Sequence, residues 1–149
     1  MSDHQLCTFK VADLVLGVEV TRVQEVIRSQ PLTRVPLAPP TVAGLLNLRG
    51  QIVTAIDLRA RLGVPPRDPS VPPMNVVVRH DGGAVSLLVD DIGDVIEVAD
   101  ATFEAPPDTI GRAARELIRG AYKLPDHLLL VLDAARAIEA SPDLERDSR

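Results

Sequence analysis

Tryptophan is absent from this 149-residue chain, and Phe9, Phe103 and Tyr122 are its only aromatic residues. Its core must therefore be aliphatic, and it lacks the stacking side chains on which single-stranded nucleic-acid binders rely. Cysteine is nearly absent too. Cys7 stands alone, which excludes an internal disulfide and leaves too few thiols for a structural zinc site. Its place in the alternating stretch Leu6 to Val11 reads as that of a small buried apolar residue. No apolar run approaches the roughly eighteen residues of a membrane-spanning helix. Met1 to Lys10 has neither the basic start nor the apolar centre of a signal peptide, so a cytoplasmic protein without direct membrane insertion is expected. Nor is there a basic stripe. Sixteen Lys and Arg are scattered among 21 Asp and Glu, giving a formal charge of −5. Nucleic acid, which is bound by clustered cations, is not an expected partner.

What the chain has in quantity is Val, Leu, Ile and Ala in short runs, punctuated by 13 prolines and 9 glycines. Leu6 to Val20 reads as two strands around a tight turn at Ala12-Asp13. Thr21 to Arg28 suits a strand or a single helical turn alike, and the residues leave the choice open. Leu32 to Pro40, crowded by prolines, is an extended connector. Gly44 to Arg59, reading G-L-L-N-L-R-G-Q-I-V-T-A-I-D-L-R, forms two strands around a glycine turn or bulge at Arg49-Gly50. Leu58 to Leu62 makes one helical turn stopped by Gly63.

Val64 to Pro73 carries five prolines in ten residues and reads as a linker dividing two hydrophobic halves. Beyond it, Asn75 to Arg79 and Ala84 to Asp90 form a hairpin across His80 to Gly83. Ile92 to Val98 is a further strand with a bulge at Gly93. Thr109 to Leu117 is a short helix capped by Asp108. Ile118 to Lys123 and His127 to Leu132 form a third hairpin, Asp133 caps a helix from Ala134 to Ala140, and 141–149 is a charged, flexible tail. Many short strands with frequent turns point to an all-β barrel architecture.

No catalytic or metal-binding constellation is expected. His4, at a frayed terminus, His80, in a turn, and His127, at a strand start, lack carboxylate or thiol partners at ligand spacing and read as solvated. Gly82-Gly83 lacks the lysine and following helix of a phosphate loop. Asp90-Asp91 is not an acid pair, because neighbours along a strand face opposite sides, and it reads as a strand end. No serine sits in a nucleophile elbow. A non-enzyme without cofactors is expected.

V-Q-E-V-I (Val23 to Ile27), Val35-Pro36, the segment Gly44 to Arg59, Leu62-Gly63, L-L-V-D (Leu87 to Asp90) with G-D-V-I-E-V (Gly93 to Val98), and Gly120 with V-L-D (Val131 to Asp133) form one pattern. It resembles the CheW family, the coupling proteins of bacterial chemotaxis-type signalling arrays, from about Phe9 to Ile138. The resemblance implies two packed five-stranded SH3-like barrels with short connecting and C-terminal helices, in one unit from 6 to 140 divided near 64–73. It also implies a non-catalytic adaptor with two partners: the regulatory domain of a CheA-type histidine kinase, and the cytoplasmic hairpin tip of chemoreceptors. The protein would then sit at membrane receptor arrays through its partners.

By the same resemblance, Glu25 and Arg49 form an acid–base pair on neighbouring strands that presents the arginine to a partner. Val23, Gly44 and Asn47 lie at the family's receptor or kinase contacts, although Val23 and Gly44 equally suit core and turn roles. Leu48, Gly50, Ile52, Ile56 and Leu58 read as structural, and Asp57 and Arg59 as either. Ala43 departs from the family pattern where a polar or basic residue is usual, and Thr54 where proline is. The alternatives are a CheW-like scaffold of a non-chemotactic system, such as pilus or surface motility, and a stand-alone kinase regulatory domain. The second lacks support because no ATP-binding box is present.

Overall fold

The computed structural model describes residues 3–99 and 102–139. Eleven strands among them fall into two sheets. The strands are β1 (Asp3–Val11), β2 (Leu14–Glu19), β3 (Val23–Ile27), β4 (Val42–Leu48), β5 (Gln51–Asp57), β6 (Met74–His80), β7 (Gly83–Val89), β8 (Asp91–Ala99), β9 (Phe103–Glu104), β10 (Ile118–Lys123) and β11 (Leu128–Leu132). Three short helices join them: α1 (Leu58–Leu62), α2 (Arg112–Leu117) and α3 (Ala134–Glu139). The all-β class holds, and the strand count of the barrels changes by one. The first sheet has six strands in the order β8-β1-β2-β11-β10-β9, the second five in the order β3-β6-β7-β5-β4. The extra strand is β9, two residues that pair with Ala121 and Tyr122 and are too short to show as a pattern in sequence.

The sheets exchange chain at two places, where β2 gives way to β3 and where β7 gives way to β8. The proline-rich 64–73 segment lies between α1 and β6, inside the run of strands β3 to β7 that builds the second sheet. Each sheet also contains one parallel contact, β2 with β11 and β5 with β7. The second sheet curls into a ring. The chain leaving β3 lies against β4 at the opposite end of the strand order, with Thr33 and Leu45 exchanging two 2.8 Å backbone hydrogen bonds.

Burial explains why several strands read as unbroken apolar runs. In β6, Val76 and Val78 face the central core while Val77 faces the interior of the second sheet. In β7, Leu87 and Val89 face the central core while Leu88 faces the other way. In β11, Leu130 and Leu132 point centrally, and Leu129 and Val131 fill the interior of the first sheet. A strand covered on both faces has no polar side to alternate. The central cluster also takes Phe9, Val11, Leu16 and Val18 from the first sheet, and Leu58, Leu117 and Ala137 from the helices. Helices of five or six residues do not persist alone in water. Here they are held by the core they cover.

Local chemistry agrees with most turn assignments. Ala12 has φ +54° in the β1–β2 turn, and β8 is bulged where Thr8 Oγ1 donates to Asp94 O at 2.6 Å, opposite Gly93. Asp57 caps α1 by accepting from Arg59 N at 3.0 Å, and Gly63 ends it in a left-handed conformation. Thr21 to Arg28 resolves into a single 3-10 turn over Val20–Arg22 followed by β3. Asp108 does not cap α2. That helix begins after Gly111, without a side-chain cap, and Asp108 instead accepts from Arg115 at 3.0 Å. The expected tail, 141–149, and Ala140 lie outside the described residues.

Candidate functional site

The β4–β5 hairpin closes with the two-residue turn Arg49-Gly50 between the paired residues Leu48 and Gln51. Both turn residues have positive φ, +53° and +88°. Such a turn matches the natural twist of a hairpin but strains any residue other than glycine. Arginine here is held from two sides. Asn47 Oδ1 accepts from Gly50 N at 2.8 Å, tying the turn down, and Glu25 on β3 receives the guanidinium as a fork. Arg49 Nη1 donates to Glu25 Oε1 at 3.1 Å and Nη2 donates to Oε2.

Arg49 therefore lies at a hairpin tip and not on a strand, and β3 and β4 are not hydrogen-bonded neighbours. They are the two ends of the sheet order, brought together because the sheet curls. The Arg49 side chain is 69% exposed and that of Glu25 20%. Hydrogen bonding from Arg49 holds the Glu25 carboxyl below its ordinary value, and Glu25 raises the guanidinium in return. A planar fork fixed in orientation at a protruding tip is a directional donor for a carboxylate or carbonyl on another protein.

Glu25, Asn47 and Arg49 thus share one small surface. Val23, on the same strand as Glu25, is half-buried against the central core, and its carbonyl accepts from Arg79 Nη1 at 2.9 Å. Gly44 is buried in β4 at a bulge, where a Cβ would stand 2.7 Å from Thr33 O. It shapes the strand and presents no side chain. Ile52, expected in the structural set, is 61% exposed directly across from Asn47, and Val26, beside Glu25, is 38% exposed. Their alternating strands gave no sign of this, because an apolar residue in an alternating pattern is read as inward. Leu48, Ile56 and Leu58 are buried as expected.

A second charged cluster, read from sequence only as a strand end, centres on Asp90. Its carboxylate accepts from Arg59 Nη2 at 2.6 Å and Nε at 2.9 Å, from Arg67 Nε at 3.2 Å, and from the backbone N of Ala12 at 2.7 Å. Arg59 Nη1 also reaches Pro65 O at 2.7 Å. One carboxylate thus joins the β1–β2 turn of the first sheet, helix α1 of the second and the proline-rich loop. Partial burial pushes the Asp90 carboxyl up, but the hydrogen bonds from Arg59 and Ala12 and the nearby guanidinium charges outweigh it and hold the group below its ordinary value. Asp57 and Arg59 are thereby assigned to structure: Asp57 caps the helix and Arg59 anchors Asp90.

The other expected solitary groups fall differently. Cys7 is half-buried in β1, and burial raises its thiol. His4 is within β1, opposite Val98, and not at a frayed end. The His80 side chain is only 14% exposed and lies 3.4 Å from Asp81. His127 pairs with Asp126 at 2.7 Å. Among the described residues no three His, Cys, Asp or Glu side chains group as metal ligands, and no helix is long and apolar enough to cross a membrane.

The same fold occurs in a solved structure, the scaffolding protein TtCheW from Thermoanaerobacter tengcongensis. The TM-score is 0.82 at 27% identity, covering 93% of this chain and 94% of that one. A probable chemotaxis protein CheW of Rhizobium etli is 30% identical over 131 residues, 88% of this chain and 84% of the relative. Protein FrzA of Myxococcus xanthus is 32% identical over 125 residues, 79% of this chain and 73% of the relative. The family model described as the CheW-like domain matches residues 5–141. With the sheets, the hairpin motif and these likenesses in agreement, the chain belongs to the CheW-like domain family.

Proposed function

We propose that this protein is a non-catalytic adaptor that couples chemoreceptors to a CheA-type histidine kinase in a chemosensory array. The kinase partner would be its regulatory domain and the receptor partner the cytoplasmic hairpin tip, so that the protein works beneath the membrane through its partners. The observation that carries this reading is the Arg49–Glu25 fork, displayed on a strained hairpin tip, with exposed Ile52 across the hairpin from Asn47. Exposed ion pairs add little to stability. Strain retained at an exposed arginine is better accounted for by recognition than by folding. An exposed arginine on a hairpin that also exposes an aliphatic side chain is a composition suited to protein binding.

Glu25, Asn47 and Arg49 are the contact residues in this reading, with Val23 and Gly44 shaping the strands β3 and β4 that carry Glu25 and Asn47. In this reading residues 6–140 act as one unit, which the core shared by the two sheets supports. Signal would pass by differential contacts in the receptor's two signalling states, each contact being individually modest and multiplied across an array. Co-sedimentation of the protein and kinase with receptor-containing membranes tests the proposal. Wild type should assemble and Arg49→Ala should assemble weakly, and equal assembly of the two would count against it.

A second reading, a scaffold in a system with a non-chemotactic output such as surface motility, draws on the likeness to FrzA, whose name carries no chemotaxis label. Deletion of the gene distinguishes the two, through loss of swimming bias in one case and of surface motility in the other.

A further inference from the structure

Beside the Arg49–Glu25 fork runs an open groove of about 630 Å³, lined by Arg22, Gln24, Gln51, Arg79, the β6–β7 turn and Ala135. Its charge is opposite to that of the molecule. Its lining includes two arginines, Arg22 and Arg79, and one carboxylate residue, Asp81, on a chain whose formal charge is −5. Neither arginine meets a carboxylate among the described residues. Arg22 Nη2 donates to Arg79 O at 3.3 Å, and Arg79 Nη1 donates to Thr21 O at 3.1 Å and Val23 O at 2.9 Å. Arg22 Nε is buried with no acceptor among the described residues. A buried donor without a partner is rare in folded proteins and calls for a specific explanation.

The groove is continuous with the fork. Gln24 lines it and donates to Glu25 Oε2 at 3.5 Å, and Gln51 follows directly on the Arg49-Gly50 turn. Arg22 and Arg49 thus stand on adjoining stretches of surface, linked through Gln24 and Gln51.

We infer that this groove seats carboxylate side chains of the same partner segment that docks on the Arg49–Glu25 fork, making that segment acidic. The inference rests on the receptor-binding reading of the fork and adds the chemistry of what is bound. Two cations with only backbone acceptors, and with amide donors on the adjoining walls, form a forked-donor site for carboxylates. An open groove of about 630 Å³ suits a protein segment better than a small anion, which is held by enclosure.

The test is binding of a soluble cytoplasmic chemoreceptor fragment to wild type, Arg22→Gln, Arg22→Lys and Arg49→Ala, measured at low and high ionic strength. Arg22 is chosen because Arg79 also holds the 3-10 turn in place, so its replacement risks misfolding. Arg22→Gln should bind roughly tenfold more weakly at low salt. The deficit should shrink at high salt, and Arg22→Lys should recover part of it. If Arg49→Ala binds poorly while Arg22→Gln matches wild type at both salts, the inference is overturned and the reading of the fork stands. If both variants bind as wild type does, the reading of the fork falls with it. If inorganic phosphate at millimolar concentration raises the melting temperature of wild type but not of Arg22→Gln, while receptor binding is equal, the groove is a small-anion site and the inference is likewise overturned.

Discussion

At the scale of single residues, the two carboxylate–arginine clusters answer to opposite demands. Arg49 of the Glu25–Arg49 pair is open to solvent, and its removal should leave folding almost untouched. Arg49→Ala is expected to keep the wild-type denaturation midpoint in urea while weakening ternary assembly in a sedimentation assay. Asp90 is different, since its carboxylate is the shared acceptor of Arg59, Arg67 and Ala12 N. Removing it strands two guanidiniums in a partly buried place. Asp90→Ala should therefore cost of the order of 3 kcal/mol in chemical denaturation. The pH dependence follows from the direction of its titration. A carboxyl held below its ordinary value in the folded state contributes stability that is fully present above the ordinary carboxylate range and is lost as pH falls through the lowered value. Stability measured across an acid series should thus decline on the low side in wild type, and part of that decline should vanish in Asp90→Asn. The sequence made Glu25 and Arg49 legible because they sit in a specific motif. Asp90 was read only as a strand end, because its partners lie 23, 31 and 78 positions away and only the fold assembles them.

At the scale of elements, glycines separate turn chemistry from packing. Gly44 and Gly50 both have positive φ, but a Cβ at Gly50 meets nothing within 4 Å whereas one at Gly44 meets Thr33 O at 2.7 Å. Gly50→Ala should cost about 1 kcal/mol, the conformational term alone. Gly44→Ala should cost about 2–3 kcal/mol, because the Thr33–Leu45 bridge must give way. Parallel thermal melts of the two variants compare the costs directly. Hairpins were readable wherever Gly, Asp or Asn lay between apolar runs. The start of α2 was not, since Asp108 offers a good cap and the chain instead uses it to hold Arg115. Strand β9 escaped notice because it is defined by its partner β10: Gly120 leaves the space into which the Phe103 ring fits, with a Cβ there standing 2.3 Å from Phe103 Cζ.

At the scale of the whole molecule, the largest core lies between the sheets, not inside either one, and β6, β7 and β11 each serve two clusters. Leu87→Ala, at 0% exposure in that shared core, should cost about 2–5 kcal/mol. Hydrogen exchange followed in strands of both sheets should then show one lowered opening free energy, whereas independent sheets would show the loss in the second alone. The all-β class was legible from turn spacing, and the twin-barrel plan from family resemblance. The interleaving was not, because the proline-rich 64–73 stretch looks like a boundary by composition while the strands before and after it, β5 and β6, belong to one sheet. One last consequence concerns the closed ring of the second sheet. Its two ends meet along Thr33–Leu45 and again where Glu25 grips Arg49. The proposed contact point is therefore the clasp of a hoop. A partner that tightens or slackens the clasp would act on the circumference of the whole band, and through the face that carries Val76, Val78, Leu87 and Val89 on the neighbouring barrel.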